Sequence, residues 1–256
     1  MNAGRVTVTS DGAVATLLLD RPEKHNALTP EMLGALGAVL TRLDGDRTVH
    51  AVVVAAAGTR SFCAGADIHR FKALDPLDMW ATWTRLGLRV FEHLARLRQP
   101  TVAAIHGNAY GGGLELALAC DLRVLSAEAT LGLTEVGLGT VPGWGGTGRL
   151  PAAIGTARAK ELIFTGTPLD AARAAEWGLV NRVVPPGDVS AVAGALAAQI
   201  AGRAPVAVQM AKQSIDSGGG YPFMEPLASV ATAYTADAGE GFAAYRDKRT
   251  PSFSGS

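Results

Sequence analysis

A unit made of a buried strand, a glycine-rich turn and a helix occurs twice, at Val52–Ile68 and at Val102–Leu118. Repetition of one such unit at a spacing of about 50 residues indicates stacked turns of a spiral rather than unrelated loops. In a spiral, equivalent turns of neighbouring coils lie side by side. The sequence therefore predicts that the backbone near Ala66 lies against the backbone near Gly112.

The composition is that of a folded protein with a large core, because 48% of the 256 residues are apolar and only 18% are charged. The formal net charge is zero, which argues against nucleic acid as a partner. Cys63 and Cys120 form neither a disulfide framework nor a zinc spacing, so no metal is expected. We find no apolar run of about 18 residues and no signal-like N-terminus, and so predict no membrane span and a cytoplasmic location.

The order of predicted elements indicates an α/β fold that becomes helical toward the C-terminus. We expect a core over residues 1–195 and a helical region over residues 196–256. Within these regions, one long helix is predicted at about Asp78–Arg98 and a final helix near Phe223–Asp237.

Glu115 and Glu135 each lie beside a glycine-rich turn in otherwise apolar surroundings. A carboxylate is costly to bury unless something there uses it. Two carboxylates that face one space can hold a water molecule and move its protons. The leucines around Glu115 are expected to raise its pKa.

The turns themselves offer backbone N–H groups, because the first N–H groups of a helix have no partner within the helix. Donors from Gly65-Ala66 and from Gly111-Gly112 would bind one carbonyl oxygen, and would stabilise an enolate if that carbonyl belonged to a thioester. Taken alone, a glycine triplet is more typical of a tight strand–helix junction. The dinucleotide-binding interpretation fails because the spacing is not G-x-G-x-x-G.

The chain resembles the enoyl-CoA hydratase/isomerase (crotonase) superfamily over nearly its whole length. The segments that carry this resemblance are Arg21–Leu28, Ser61–Asp67, Pro100–Gly107, Gly111–Asp121, Leu138–Thr147, Gly166–Ala171, Gly178–Asn181 and Phe242–Phe253. The resemblance implies a crotonase-like spiral of ββα turns with a helical C-terminal trimerisation region, giving a homotrimer or a dimer of trimers. It also implies an acyl-CoA thioester as substrate and no cofactor.

The resemblance further implies roles for four positions. Ala66 and Gly112 would form the oxyanion hole through their N–H groups, and Glu115 and Glu135 would be the catalytic acids. Having both acids favours hydration of a 2-enoyl-CoA to a 3-hydroxyacyl-CoA, with Glu115 as base and Glu135 as acid, although the two roles could be reversed. The alternatives are an enoyl-CoA isomerase, another lyase or decarboxylase acting on a specialised acyl-CoA, and a non-catalytic RNA-binding member, which the neutral charge disfavours.

Substrate or CoA contacts are implied at a further set of positions, some of which have a simpler explanation. Lys248 and Phe242 would reach CoA from a neighbouring subunit or else lie in a solvated tail, and Asp67 would also suit a helix N-cap. Bulky Trp80, Trp83 and Trp144 fall in the region of the acyl pocket. The implied contact residues are Lys24, His25, Ala64, Asp67, Ile68, Gly111, Trp144, Phe242 and Lys248.

Overall fold

The structure, a computed structural model, describes residues 3–72 and 74–256. Two sheets form its centre, a six-stranded sheet in the order β1-β2-β3-β5-β7-β9 and a three-stranded sheet in the order β4-β6-β8. The strands are β1 Arg5–Asp11, β2 Val14–Asp20, β3 Ala51–Ala56, β4 Ser61–Cys63, β5 Thr101–Ile105, β6 Asn108–Tyr110, β7 Leu122–Ser126, β8 Leu131–Gly132 and β9 Arg182–Val184.

Successive coils of the chain contribute one strand to each sheet. β1 and β2 form an antiparallel hairpin, whereas all other neighbours in both sheets pair in parallel. A parallel partner requires a crossover, and here the chain passes from β3 to β4, from β5 to β6 and from β7 to β8 before it returns. The predicted spiral of ββα turns is therefore confirmed, although the residue pattern by itself predicts turns rather than strands at β4 and β6.

Helices cover both faces of the larger sheet and make up the C-terminal part. The α-helices are α1 Pro30–Gly45, α2 Ile68–Lys72, α3 Pro76–Asp78, α4 Arg85–Ala95, α5 Gly112–Leu118, α6 Gly146–Ile154, α7 Thr156–Thr165, α8 Ala171–Glu176, α9 Val189–Ala201, α10 Pro205–Asp216, α11 Tyr221–Ala233 and α12 Ala236–Asp247. At the start of α1, the Thr29 side chain accepts the N–H of Met32 and Pro30 occupies the first turn, as the sequence predicts.

The core lies on both sides of the parallel sheet. One cluster packs the leucines of α1 and the apolar residues of α4 and α5 against β2, β3 and β5. The other cluster places Ala193 and Ala197 of α9 against Val53, Val102 and Val124. The predicted boundary between residues 195 and 196 falls inside α9, the helix that covers this second face.

Two predicted helices differ from those observed. The helix expected over Asp78–Arg98 begins as a π-helical turn at Met79–Thr84, continues as α4 and ends at Ala95. The helix expected near Phe223–Asp237 is two helices, because Thr235 is extended and its side chain accepts the N–H of Ala238 to begin α12. In both places a local capping or turn geometry overrides an otherwise helical pattern.

The C-terminal helices are joined to the spiral through a partly buried ion pair. Lys212 of α10 donates to Asp121 at 2.8 Å and to the carbonyl of Gln99 at 3.3 Å. Over residues 3–72 and 74–256 no single helix is long and apolar enough to cross a membrane, and Pro186–Ala201 with Pro205–Asp216 meet that length only as a pair bent by 106°.

Candidate active site

A cavity of about 230 Å³ lies where the turns of neighbouring coils meet. Its wall includes the backbone at Gly65-Ala66 and at Gly111-Gly112, the side chains of Glu115 and Glu135, and a group of apolar residues. The cavity therefore collects the features that the sequence predicts from separate segments.

The two glycine turns touch, as the spacing of the repeated units predicts. A Cβ atom built on Gly65 would lie 2.8 Å from the carbonyl oxygen of Tyr110 and 3.0 Å from the nitrogen of Gly112. Gly65 also has a φ of +92°, where side chains are strained. Glycine is required here both for the turn and for the close approach of the second coil.

Two backbone N–H groups are left free to bind a ligand. Ala66 forms a parallel bridge with Leu28, in which the carbonyl of Gly65 accepts the N–H of Leu28 and the N–H of Asp67 donates to the carbonyl of Leu28. The N–H of Ala66, between these two bonds, therefore points away from Leu28. Gly112 is the first residue of α5, where a helical N–H has no internal partner. Within the part of the chain that the structure describes, neither N–H has a hydrogen-bond acceptor.

Glu115 is held rigidly by backbone donors from a distant loop. Its side chain is only 2% exposed, and its Oε1 accepts the N–H groups of Trp144 and Gly146, each at 2.8 Å. Burial raises the pKa of Glu115 although these two N–H groups and the charge of Arg149 act to lower it. One carboxylate oxygen is thus fully engaged, which fixes the direction of the other.

Glu135 begins a short 3-10 helix, Glu135–Leu138, at the opposite side of the cavity. A Cβ on Gly111 would lie 3.1 Å from its Oε1, so the carboxyl group packs directly over the glycine turn. Its Oε2 is buried and, among the described residues, has no hydrogen-bond partner. Burial, assisted by the neighbouring charge of Glu115, raises the pKa of Glu135 to about 7. The two acids therefore line one cavity, and burial raises the pKa of each.

The loop that carries the donors for Glu115 is tied to α4. Arg149 donates from Nη1 to the carbonyl oxygen of Trp144 at 3.0 Å and from Nη2 to Glu92. This arginine links the loop to α4 and contributes positive charge near Glu115. From the sequence, Arg149 is expected only to close a helix end or to pair internally. Its pairing with Glu92, 57 residues away in the chain, depends on how α6 packs beside α4 and is not encoded by a local pattern.

Several of the residues predicted to contact substrate line or border the cavity. Ala64, Ile68, Gly111 and Trp144 are part of its wall. His25 borders it, because the carbonyl of His25 accepts the N–H of Ala64 and its ring contacts Ser61 Oγ at 3.2 Å. Lys24, exposed and in the 3-10 turn just before His25, is not part of the wall.

Asp67, Phe242 and Lys248 are not part of the cavity wall within one chain. Asp67 pairs with Arg21 at 2.8 Å and accepts the N–H groups of His69 and Arg70 at the start of α2. Burial acts to raise the pKa of Asp67, but these hydrogen bonds outweigh it and hold the pKa below its usual value. Phe242 is 77% exposed and Lys248 ends α12 with a φ of +52°.

The three tryptophans of the expected acyl region differ in their exposure to solvent. Trp83 and Trp144 are buried and line the cavity, whereas Trp80 is 63% exposed and lies under Arg85. Among the described residues, no group of three His, Cys, Asp or Glu side chains is arranged to hold a metal ion.

A family model described as enoyl-CoA hydratase/isomerase matches residues 9–256. The short-chain-enoyl-CoA hydratase of Clostridium acetobutylicum is 40% identical over 85% of this chain and 83% of its own length. The (E)-benzylidenesuccinyl-CoA hydratase of Thauera aromatica is 38% identical over 98% and 99% of the two chains. The fold also matches the crystal structure of an enoyl-CoA hydratase from Bacillus anthracis. The two share 37% sequence identity, and the match covers 100% of each chain with a TM-score of 0.95. The chain belongs to the enoyl-CoA hydratase/isomerase, or crotonase, superfamily.

Proposed function

We infer that this protein is an enoyl-CoA hydratase that adds water across the 2,3 double bond of a 2-enoyl-CoA thioester. The observation that supports this most is the pairing of two acids in one cavity beside two free N–H groups. Relatives named as hydratases, at 40% and 38% identity, support the same reaction class.

In the proposed reaction, the N–H groups of Ala66 and Gly112 hold the thioester oxygen. This withdraws electron density from C3 and stabilises the enolate that forms when water adds there; removing one such donor typically costs on the order of 3 kcal/mol. Glu115 accepts a proton from the water as the water oxygen bonds to C3. Glu135, whose raised pKa of about 7 leaves part of it protonated at neutral pH, then gives a proton to C2 as the enolate returns to a carbonyl.

The direct test is incubation of the protein with crotonyl-CoA in ¹⁸O-labelled water. Hydration predicts loss of the enoyl absorbance and one labelled oxygen at C3 of 3-hydroxybutyryl-CoA. Unchanged crotonyl-CoA at high enzyme concentration would contradict the proposal.

A second candidate is isomerisation of a 3-enoyl-CoA to a 2-enoyl-CoA. It needs only one carboxylate to carry a proton between C4 and C2, and Glu135 alone, with its raised pKa, could do so. Faster conversion of 3-hexenoyl-CoA than hydration of 2-hexenoyl-CoA by the same preparation would favour this alternative.

The proposal extends to the CoA end and to assembly. The exposed Phe242 and Lys248 would contact CoA bound to a neighbouring subunit in a homotrimer or a dimer of trimers. No cofactor takes part in the proposed chemistry, and we propose that the protein acts in the cytoplasm.

The rate should depend on pH because the reactive form has Glu115 ionised and Glu135 protonated. We expect kcat/KM on crotonyl-CoA to fall as pH rises through about 7, where Glu135 loses its proton, and to fall again at low pH as Glu115 gains one. Initial rates from about pH 5 to about pH 9 measure both limbs. A rate that stays constant above neutral pH would exclude Glu135 as the proton donor.

Arg149→Gln should move the low-pH limb to higher pH, because the charge of Arg149 lowers the pKa of Glu115. Loss of its bond to the Trp144 carbonyl should also lower kcat by about 10-fold to 10²-fold through misplacement of the base. Arg149→Lys should recover part of the shift. Arg96→Gln is the matched control, since Arg96 also pairs with Glu92 but does not contact the loop.

A further inference from the structure

We propose that Trp83 and Trp144 form a fixed aromatic wall that restricts this protein to short, purely hydrocarbon acyl groups, of the size of crotonyl or hexenoyl. The proposal rests on the acyl-CoA function inferred above and adds the substrate class.

The position of the aromatic wall follows from where the thioester carbonyl would bind. The thioester carbonyl would bind at Gly112, and the indole of Trp144 lies directly over that residue, since a Cβ on Gly112 would come within 2.4 Å of its Cζ3. Trp83 packs on the same indole with ring centroids 5.5 Å apart. The acyl carbons beyond the reacting pair therefore meet aromatic rings soon after they pass the acids.

The indole of Trp144 is clamped and cannot turn aside to lengthen the cavity. On α4, a Cβ on Gly87 would lie 2.3 Å from Cε2 and Nε1 of the ring, so the helix backbone itself is the support. Phe91, one helical turn further along, meets the ring edge-on with centroids 5.3 Å apart. A side chain packed this closely is a fixed wall rather than a gate.

Trp83 is aimed inward by the π-helical turn Met79–Thr84. Met79, Trp83 and Thr84 all line the cavity, whereas Trp80 of the same turn faces solvent. Single π-helical turns occur often at functional sites. This turn therefore selects which of two nearby tryptophans closes the site.

The size and chemistry of the cavity set the substrate class. Its volume of about 230 Å³ is below the range of roughly 300–1,000 Å³ that is usual for pockets holding larger ligands. Besides the two tryptophans, the wall includes Phe71, Met79, Leu138 and Val141, and among the described residues Glu115 and Glu135 are its only charged side chains. A short hydrocarbon chain fits this surface, and a carboxylated chain would lose its hydration without a partner.

Calorimetric titration with saturated acyl-CoA esters tests the proposal without relying on turnover. Saturated esters cannot be hydrated, so their affinity relative to free CoA reports the acyl pocket alone. For the unmodified protein, we expect affinity to rise from CoA to butyryl-CoA and hexanoyl-CoA and then to fall for octanoyl-CoA and decanoyl-CoA. Each methylene that becomes buried should strengthen binding by about fourfold.

Trp83→Ala and Trp144→Ala should each move the preferred chain length upward and tighten decanoyl-CoA binding by about tenfold or more. Trp83→Phe, which keeps a ring in place, should shift the profile less and in the same direction, and it remains informative if an alanine variant does not fold. Trp80→Ala is the matched control and should leave the profile unchanged.

The outcomes separate the two proposals. The expected binding profile without any hydration of enoyl-CoA would contradict the proposed reaction and retain the aromatic wall. Three results would overturn the wall, and the proposed reaction would stand if hydration is still observed. Decanoyl-CoA could bind as tightly as hexanoyl-CoA, or the profile could be unaltered in the Trp83 and Trp144 variants. The third result is tighter binding of 3-phenylpropionyl-CoA than of hexanoyl-CoA.

Discussion

Glu135→Gln should lower kcat for crotonyl-CoA hydration by about 10²–10⁴-fold, which is the usual contribution of a positioned acid or base. The amide has the shape of the acid but cannot deliver the proton to C2. Glu115→Gln should lower kcat at least as much, because the amide cannot accept the proton of the water. The variant should keep its orientation, since the amide oxygen can still accept the N–H groups of Trp144 and Gly146. Initial rates at saturating substrate measure both effects.

Binding provides the control for this prediction. Both glutamine variants should bind butyryl-CoA within a few-fold of the unmodified protein, since the oxyanion donors at Ala66 and Gly112 are main-chain groups. Retention of more than about one-tenth of kcat by either variant would mean that the missing carboxyl group is not the acid or base.

Gly113→Ala should destabilise the fold by about 3 kcal/mol, among the larger costs of overpacking. The new Cβ would lie 2.0 Å from the carbonyl oxygen of Cys63 and 2.7 Å from its carbonyl carbon. Both atoms belong to the backbone of β4, which cannot yield as a flexible side chain can. Urea denaturation followed by circular dichroism would measure the loss.

Gly34→Ala is the matched control for that substitution. Gly34 lies in α1 at an exposed position where a Cβ meets no atom within 4 Å. Replacing a helical glycine with alanine at such a position should raise the free energy of unfolding by about 0.5–1 kcal/mol. Equal stability of the two variants would show that the contact between α5 and β4 is looser than described.

Local patterns were sufficient to predict the spiral and the meeting of its turns. The strand–turn–helix units at Val52–Ile68 and Val102–Leu118 are each encoded by contiguous residues, and stacking then follows from their repetition. The N-terminus of α1 is encoded just as locally, because Thr29 and Pro30 act within one turn of the helix.

The parts that could not be predicted depend on contacts between distant segments. The donors to Glu115 lie 29 and 31 residues further along the chain, so no local pattern reveals that its carboxylate is held by Trp144 and Gly146. The inward direction of Trp83 depends on a π-helical turn, whereas an ordinary helical period cannot distinguish it from Trp80. The break before α12 depends on Thr235 acting as an N-cap, a role that the surrounding helical pattern does not reveal.

Trp144 combines two tasks in different parts of one residue. Its amide nitrogen helps to orient Glu115, while its indole fills the space beside Gly87 and Gly112. Every residue except proline has this amide. Descendants of this chain could therefore replace the indole with another side chain and accept other acyl groups while Glu115 keeps its position.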